Sequence, residues 1–352
     1  MMLRIDLKKC GVLRFFLMLF WCVFFCGCAH QQGEKNTERA FYYWKSVVKL
    51  TDFEKRRLDS LKITTIYLKF FDVSWDAASN GPVPVAKVQL PDTTLLSKYH
   101  IIPTVFISNA CLQRIDSVQT LSMAGQVYQL IKAIATKSGM HAVSEIQIDC
   151  DWTASTASKY FLLLRAVKKL SQVSLSATIR LHQVKFIGSS GLPPADRGLL
   201  MCYNMGNLKN PASNNSIIET SELKKYTSNL AFYPLPLDVA LPLFEWMVLF
   251  RNNMYTGLVE NLAANAFTPA FAQTNGNRIG ILKDTVLAGY ELKKGDILRR
   301  EESNITEVLA AATTINKRLK SLNLRVSLYH LDSLTLSKYT THEIESIYNC
   351  FR

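Results

Sequence analysis

Glu145–Thr153, EIQIDCDWT, is the stretch whose reading decides the fold. Ile146, Ile148 and Cys150 alternate with Gln147, Asp149, Asp151 and Thr153, the two-residue period of a strand with one apolar and one polar face. Two carboxylates on one face of an otherwise apolar strand are costly unless that face opens on a site or meets partners. The stretch therefore predicts both a strand and a place to look for chemistry.

Working outward, strand-like and helix-like segments alternate in both directions. Ala40–Ser46, Ile63–Val73 and Ile101–Ser108 precede the stretch, and Val173–Leu181, Leu199–Met205, Leu237–Val248 and Arg325–Leu331 follow it, all rich in β-branched and aromatic residues. Helical patterns intervene at Asp52–Leu61, Thr93–Tyr99, Ser117–Ser138, Ala154–Leu170 and Ser221–Tyr226. Ser74–Pro91, with Asn80-Gly81-Pro82 and Pro84, reads as a long loop, and Pro242 predicts an irregular end to the seventh strand. Eight strands separated mostly by helices predict an α/β fold, a (β/α)8 TIM-type barrel over 40–352. Residues 251–302, with Asn275-Gly276-Asn277 and Ala288-Gly289 as turn signals, predict a small β-rich insertion between strands seven and eight. A loop at that end of a barrel is placed to wall a cleft, or else merely decorates the rim. Ser303, Thr306 and Glu307 predict a capped helix after it.

The chain has 352 residues, 48% of them hydrophobic, enough for one large core. Arg4, Lys8, Lys9 and Arg14 precede an apolar run, Phe15–Phe25, too short to span a bilayer comfortably. This is the layout of a secretory signal over 1–27, followed by a polar tether over 28–39. Loss of four bases and one acid with that signal takes the formal charge from +13 to +10. The bases are scattered and do not alternate with aromatics, so a nucleic-acid groove is not expected. Cys111, Cys150, Cys202 and Cys350 form no CxxC pair and the histidines no HxxxH pair, so neither a metal site nor a cofactor is expected. No GxSxG context supports serine hydrolysis.

Two resemblances sharpen this. Cys26-Gly27-Cys28-Ala29 resembles the lipobox of bacterial lipoproteins, which implies lipidation at Cys28 and a place in the cell envelope, at the outer membrane or cell surface. The alternative is an uncleaved N-terminal membrane anchor. IDCDWT resembles the fourth-strand motif of the chitinase-like glycoside hydrolase family 18, with Asp149, Asp151 and Trp152 on matching positions, and Met201-Cys202-Tyr203-Asn204 resembles its sixth-strand Met-x-Tyr-Asp. The resemblance implies that Asp151 orients a substrate acetamido group, that Asp149 tunes its protonation and that Tyr203 donates a hydrogen bond to that group. The catalytic acid of that family falls on Thr153, and a threonine hydroxyl is no general acid near neutral pH. Asn204 likewise stands for a carboxylate.

Three readings follow for a glycan or oligosaccharide partner. A divergent glycosidase takes its acid from Glu245, Asp72 or Asp332. A binding protein keeps the cleft without catalysis and uses Trp75, Trp152 or Trp246 as stacking surfaces. In the third, the aspartates are structural and paired with Lys69 or Arg180. Arg180 and His182, expected on one face at the end of the fifth strand, contact substrate or balance the aspartates.

Overall fold

A computed structural model describes residues 35–352 apart from Asp92, His141, Asn261 and Ala263. The expected signal, Cys28 and most of the tether lie outside these residues. Eight parallel strands close on themselves: β1 (Asn36–Tyr43), β2 (Thr65–Asp76), β4 (His100–Ile107), β5 (Glu145–Asp149), β6 (Ser174–Arg180), β7 (Arg197–Met201), β8 (Leu237–Pro242) and β16 (Asn323–Tyr329), with β16 pairing back to β1. This is the expected (β/α)8 barrel. Helices Asp52–Ser60, Ser117–Lys137, Ala157–Ser171, Ile305–Asn316 and Thr341–Asn349 pack outside it. Thr51, Asp116 and Thr340 start three of them with reciprocal capping boxes. Among the described residues no helix is long and apolar enough to cross a membrane.

Local chemistry moves several boundaries. β1 begins at Asn36, inside the stretch expected as tether, because Glu38 and Arg39 find partners: Arg325 for the first, the Leu61 carbonyl and Glu345 for the second. The expected loop after strand two is a hairpin, since β2 runs on to Asp76 and pairs antiparallel with β3 (Gly81–Val85). Pro82 and Pro84 are tolerated because β3 is an edge strand. The strand expected over Leu237–Val248 is two strands in different sheets. It breaks after Pro242, and β9 (Glu245–Arg251) opens the insertion instead. The insertion thus starts six residues before its expected boundary.

β9 joins β10 (Met254–Val259), β11 (Ala272–Asn275), β12 (Arg278–Ile281) and β15 (Ile297–Glu302) in an antiparallel sheet ordered β10-β9-β15-β12-β11, with β13 (Thr285–Leu287) and β14 (Tyr290–Leu292) as a separate hairpin. The β9–β10 turn, Asn252-Asn253, has both residues at positive φ, the mirror-image turn that matches strand twist. Met247, Leu249, Ile279, Ile281 and Leu298 give the insertion its own small core. The helix that follows is capped by Asn304, whose side chain accepts from the Thr306 amide, rather than by Ser303.

Inside the barrel β5 sets the layers. Glu145, Gln147 and Asp149 all point inward, while Ile146 and Ile148 belong to the apolar core outside. At the lower layer the Arg325 guanidinium lies 3.2 Å from Glu145, donates to the Tyr67 hydroxyl at 2.8 Å, and pairs with Glu38 at 3.0 Å. Ser176 donates to Glu145 at 2.7 Å. In the middle layer the Tyr42 hydroxyl donates to the side-chain Oε1 of Gln147 at 2.5 Å. Removing one partner of a buried ion pair strands the other, at about 3–5 kcal/mol. Arg325→Met is therefore expected to lower unfolding stability by that order in urea titrations, and adding Glu145→Gln to recover part of the loss. Additive losses would show that the two side chains are not coupled.

Candidate functional site

The C-terminal ends of the barrel strands surround a cleft of about 820 Å³, and a side pocket of about 420 Å³ adjoins it across Asp151, Arg180, Asn204 and Trp246. Barrel strands contribute Tyr42, Asp72, Asp149, Met201 and Tyr329 to the lining, and the insertion contributes Glu245, Trp246, Glu260 and Leu262. The extra sheet thus walls the cleft. Six carboxylates line it against Lys45, Arg180 and Lys338, so the cleft is acidic although the chain is basic.

Its floor is aromatic. The Tyr203 and Tyr329 rings stack at 5.4 Å, Phe244 meets both edge-on, and Trp44 packs on Tyr42 and Tyr329. Tyr203 is only 3% exposed, yet its hydroxyl has no hydrogen-bond partner among the described residues. A buried phenol prefers a partner, so an occupant with an acceptor is favoured there. The next residue, Asn204, has φ +54°, a conformation asparagine tolerates better than most, and its amide bonds the Ile217 carbonyl at 2.8 Å.

The carboxylates divide sharply. Asp149 is 8% exposed and accepts from the Thr178 hydroxyl at 2.6 Å. Burial, then the charge of Asp151, push its pKa up to about 6 against the opposing pull of Thr178 and Arg180. Asp151 lies beyond the strand end, half exposed, and takes both prongs of the Arg180 guanidinium at 2.6 and 2.8 Å. Glu245, expected as an acid, is gripped by Lys338 and by Arg300 at 3.1 Å. Burial alone would raise its pKa, but those two cations prevail and hold it below the ordinary value. It sits on the insertion rather than on the seventh barrel strand and is ionised near neutral pH, which removes it as a proton donor. Asp332 caps the short helix Ser333–Leu336 and pairs with Lys45 at 2.7 Å; that pairing overcomes burial and lowers its pKa. Asp72 pairs with Lys69 at 3.1 Å.

The one-face alignment expected for Gln147, Asp149, Asp151 and Thr153 stops at Asp149, because the strand does. Thr153 is exposed and borders only the side pocket. Its carbonyl accepts from the Ala157 amide and its hydroxyl lies 2.9 Å from Ser155 Oγ, so it belongs to the start of the next helix. Trp152, expected as a stacking surface, is 2% exposed. It stacks on Tyr160 at 5.0 Å and its indole N–H donates to the Ser190 carbonyl at 2.9 Å. Its faces are spent on the protein, which corrects that expectation. His182 follows Arg180 into the helix Leu181–Lys185, so strand alternation no longer aligns the two, and it reaches only the side pocket. Trp246 borders both cavities, held by its indole N–H on Glu301 at 2.7 Å. Trp75 lies outside the cleft lining, under the Arg114 guanidinium.

Sequence reasoning missed Glu260. It ends the β10 arm of the insertion, is exposed, and has no ion-pair partner among the described residues. Glu260 and Tyr329 both line the cleft, and burial, then the charges of Asp149 and Glu260, push the Tyr329 phenol up. Nothing local marks Glu260; only the folding of the insertion over the barrel brings it there. Among the described residues no group of three or more His, Cys, Asp or Glu is arranged to hold a metal.

The fold is a (β/α)8 barrel that solved structures share. The chain is similar to the spore cortex-lytic enzyme SleL of Bacillus cereus, with 13% identity over 91% of this chain and 76% of that one and a TM-score of 0.52. It is similar to a chitinase of Chromobacterium violaceum, with 12% identity over 90% and 98% of the two chains and a TM-score of 0.51. The SleL of Bacillus megaterium gives 12% identity, 91% and 75% coverage and a TM-score of 0.51. No protein-family profile matches the sequence, and neither does any curated protein. At these identities the shared feature is the barrel fold.

The raised pKa of Asp149 has a measurable sign. The folded state holds this proton more tightly than the unfolded chain, so stability falls as pH rises from about 4 to about 6 and stays reduced above that. The cost is about 3 kcal/mol near neutral pH. Asp149→Asn, which can still accept from Thr178, is expected to be more stable than the native chain at pH 7 by up to that amount and equal to it below about pH 4. Urea midpoints measured against pH check this; a constant difference across the range would refute the assignment.

Proposed function

We propose that this is an exported protein, lipid-anchored through Cys28 in a bacterial envelope, whose cleft binds a glycan without hydrolysing it. The observation that carries the reading is the state of the acids: the position of the family's proton donor holds Thr153, whose hydroxyl lies against Ser155 in the turn before a helix, and Asp151, Glu245 and Asp332 are each bound to a cation. Asp149 holds its proton only up to about pH 6 and lies at the bottom of the cleft, where it accepts from the Thr178 hydroxyl.

A sugar suits what remains. The volume lies within the usual range for small-ligand sites, the floor and walls offer rings for stacking, and the Tyr203 hydroxyl is free to donate to an acetamido or hydroxyl oxygen. The acidic lining favours a neutral glycan over an acidic one. A fold shared with a chitinase and with spore cortex-lytic enzymes supports a polymer of amino sugars as the occupant.

Calorimetry and reducing-end assays on a panel of chito-oligosaccharides and peptidoglycan-derived glycans test this together. Saturable binding without turnover is expected, and Tyr203→Phe should weaken it about tenfold, the worth of one hydrogen bond. Absence of binding to every glycan would overturn the reading. So would reducing-end release that disappears in Glu260→Gln, which would make Glu260 the acid of a working hydrolase. For the anchor, Cys28→Ser is expected to move the protein from the membrane to the soluble fraction; unchanged fractionation would point to a retained N-terminal helix.

A further inference from the structure

The opposite mouth of the barrel, where the strands begin, has a character of its own. Lys62 stands before β2, Lys137 ends the helix that feeds β5, and Lys169 lies in the last turn of the helix that feeds β6. Arg318 and Lys320 lie between the helix Ile305–Asn316 and β16, and Arg352 follows Phe351, whose carbonyl accepts from Thr37 of β1. All six are exposed, and none has an ion-pair partner among the described residues. The acids at this mouth are already engaged: Asp59 by Lys98, Asp196 by Lys168, Asp238 by Arg197 and Glu38 by Arg325. Strand order therefore puts free positive charge most of the way round one rim, while carboxylates line the other.

Helix C-termini attract cations, which accounts for Lys137 and Lys169. It does not account for Lys320, which sits in a connecting loop, or for the apolar side chains interleaved with these bases. Leu170, Leu322 and Phe232 are 46%, 48% and 77% exposed, and the Lys320 ammonium lies 4.9 Å over the Phe232 ring. Bases interleaved with protruding apolar groups suit a surface that is anionic outside and hydrocarbon beneath.

We propose that this mouth docks on an anionic lipid bilayer, an inference that rests on reading Cys28 as the lipidated residue. The barrel starts at Asn36, on this same face. From Cys28 to Asn36 the chain is eight residues on, a reach of roughly 28 Å when fully extended. A lipid at Cys28 therefore keeps this mouth near the headgroups, where each exposed base is attracted to anionic lipid. The acidic cleft then opens away from the membrane, toward whatever glycan lies beyond.

Residues 36–352 contain every strand of the closed barrel and its core, so they serve as a test protein that lacks Cys28. The measurement is sedimentation with vesicles of phosphatidylcholine alone or with about 30 mol% phosphatidylglycerol. Binding is expected only to the phosphatidylglycerol vesicles, with most of it lost at about 0.5 M salt. The Lys169→Glu/Lys320→Glu variant should bind about tenfold more weakly, whereas Lys283→Glu/Lys294→Glu, the same charge change on the insertion, should bind as the parent does. Circular dichroism establishes that each variant is folded. Equal binding to both vesicle types, no binding to either, or the same loss in both double variants would overturn the proposal. Because Cys28 is absent from the test, such a failure is separate from the fractionation of Cys28→Ser, which judges the anchor itself.

Discussion

Glu145 and Arg325 meet inside the barrel, each less than a tenth exposed. A lone charge there would be prohibitive, and a pair is tolerated only with good geometry and further hydrogen bonds. Tyr67 and Ser176 provide those hydrogen bonds, and Glu38 adds a second ion pair to Arg325. The pair joins β5 to β16, strands four places apart and so opposite each other around the closed sheet, across the barrel interior. That fixes which face of β5 points inward, because a strand shifted by one residue would bury Ile146 in the lumen and drive Glu145 into the apolar helix layer. Every inward position higher on β5 follows from this register.

The site inherits that constraint. Gln147 comes next up the strand and ties Tyr42. Asp149 comes after it, just below the cleft, and the cation nearest to it, Arg180, is committed to Asp151. Asp149 is left with the hydroxyl of Thr178 and a neighbouring negative charge, so its proton is retained to about pH 6. One strand thus carries a carboxylate paired with a buried cation at its base and one without such a partner at its top, and the difference is whether a buried cation was left for it.

The barrel itself was legible, because eight apolar, β-branched segments alternate with helical ones and each can be counted. Boundaries failed where a side chain had a distant partner or a proline had an edge to occupy. Arg39 and Glu38 look like tether until their partners more than 300 and 280 residues on are known, and Pro82 and Pro84 look like loop until β3 is seen to pair on one side only. Asp149, Asp151 and Tyr203 line the same cleft; strand period points to the two aspartates and motif to all three. Trp152 was misjudged because sequence reports that a ring is present, not that its two faces are already covered. Glu260 was invisible because it reaches the cleft only through an antiparallel sheet whose first strand was counted as barrel.

That miscounted strand also changes how the cleft is understood. Had Leu237–Val248 been one barrel strand, Glu245 would project from the rim as a free acid. Because Pro242 ends β8 and the chain turns into the insertion, Glu245 instead enters a sheet whose neighbouring strand β15 brings Arg300 beside it. The proline thus does more than end a strand. It hands the next residues to a second sheet, which neutralises one carboxylate, holds Trp246 against Glu301, and leaves Glu260 at the cleft. The break after Pro242 is therefore what decides which carboxylates in the cleft are left without a cation.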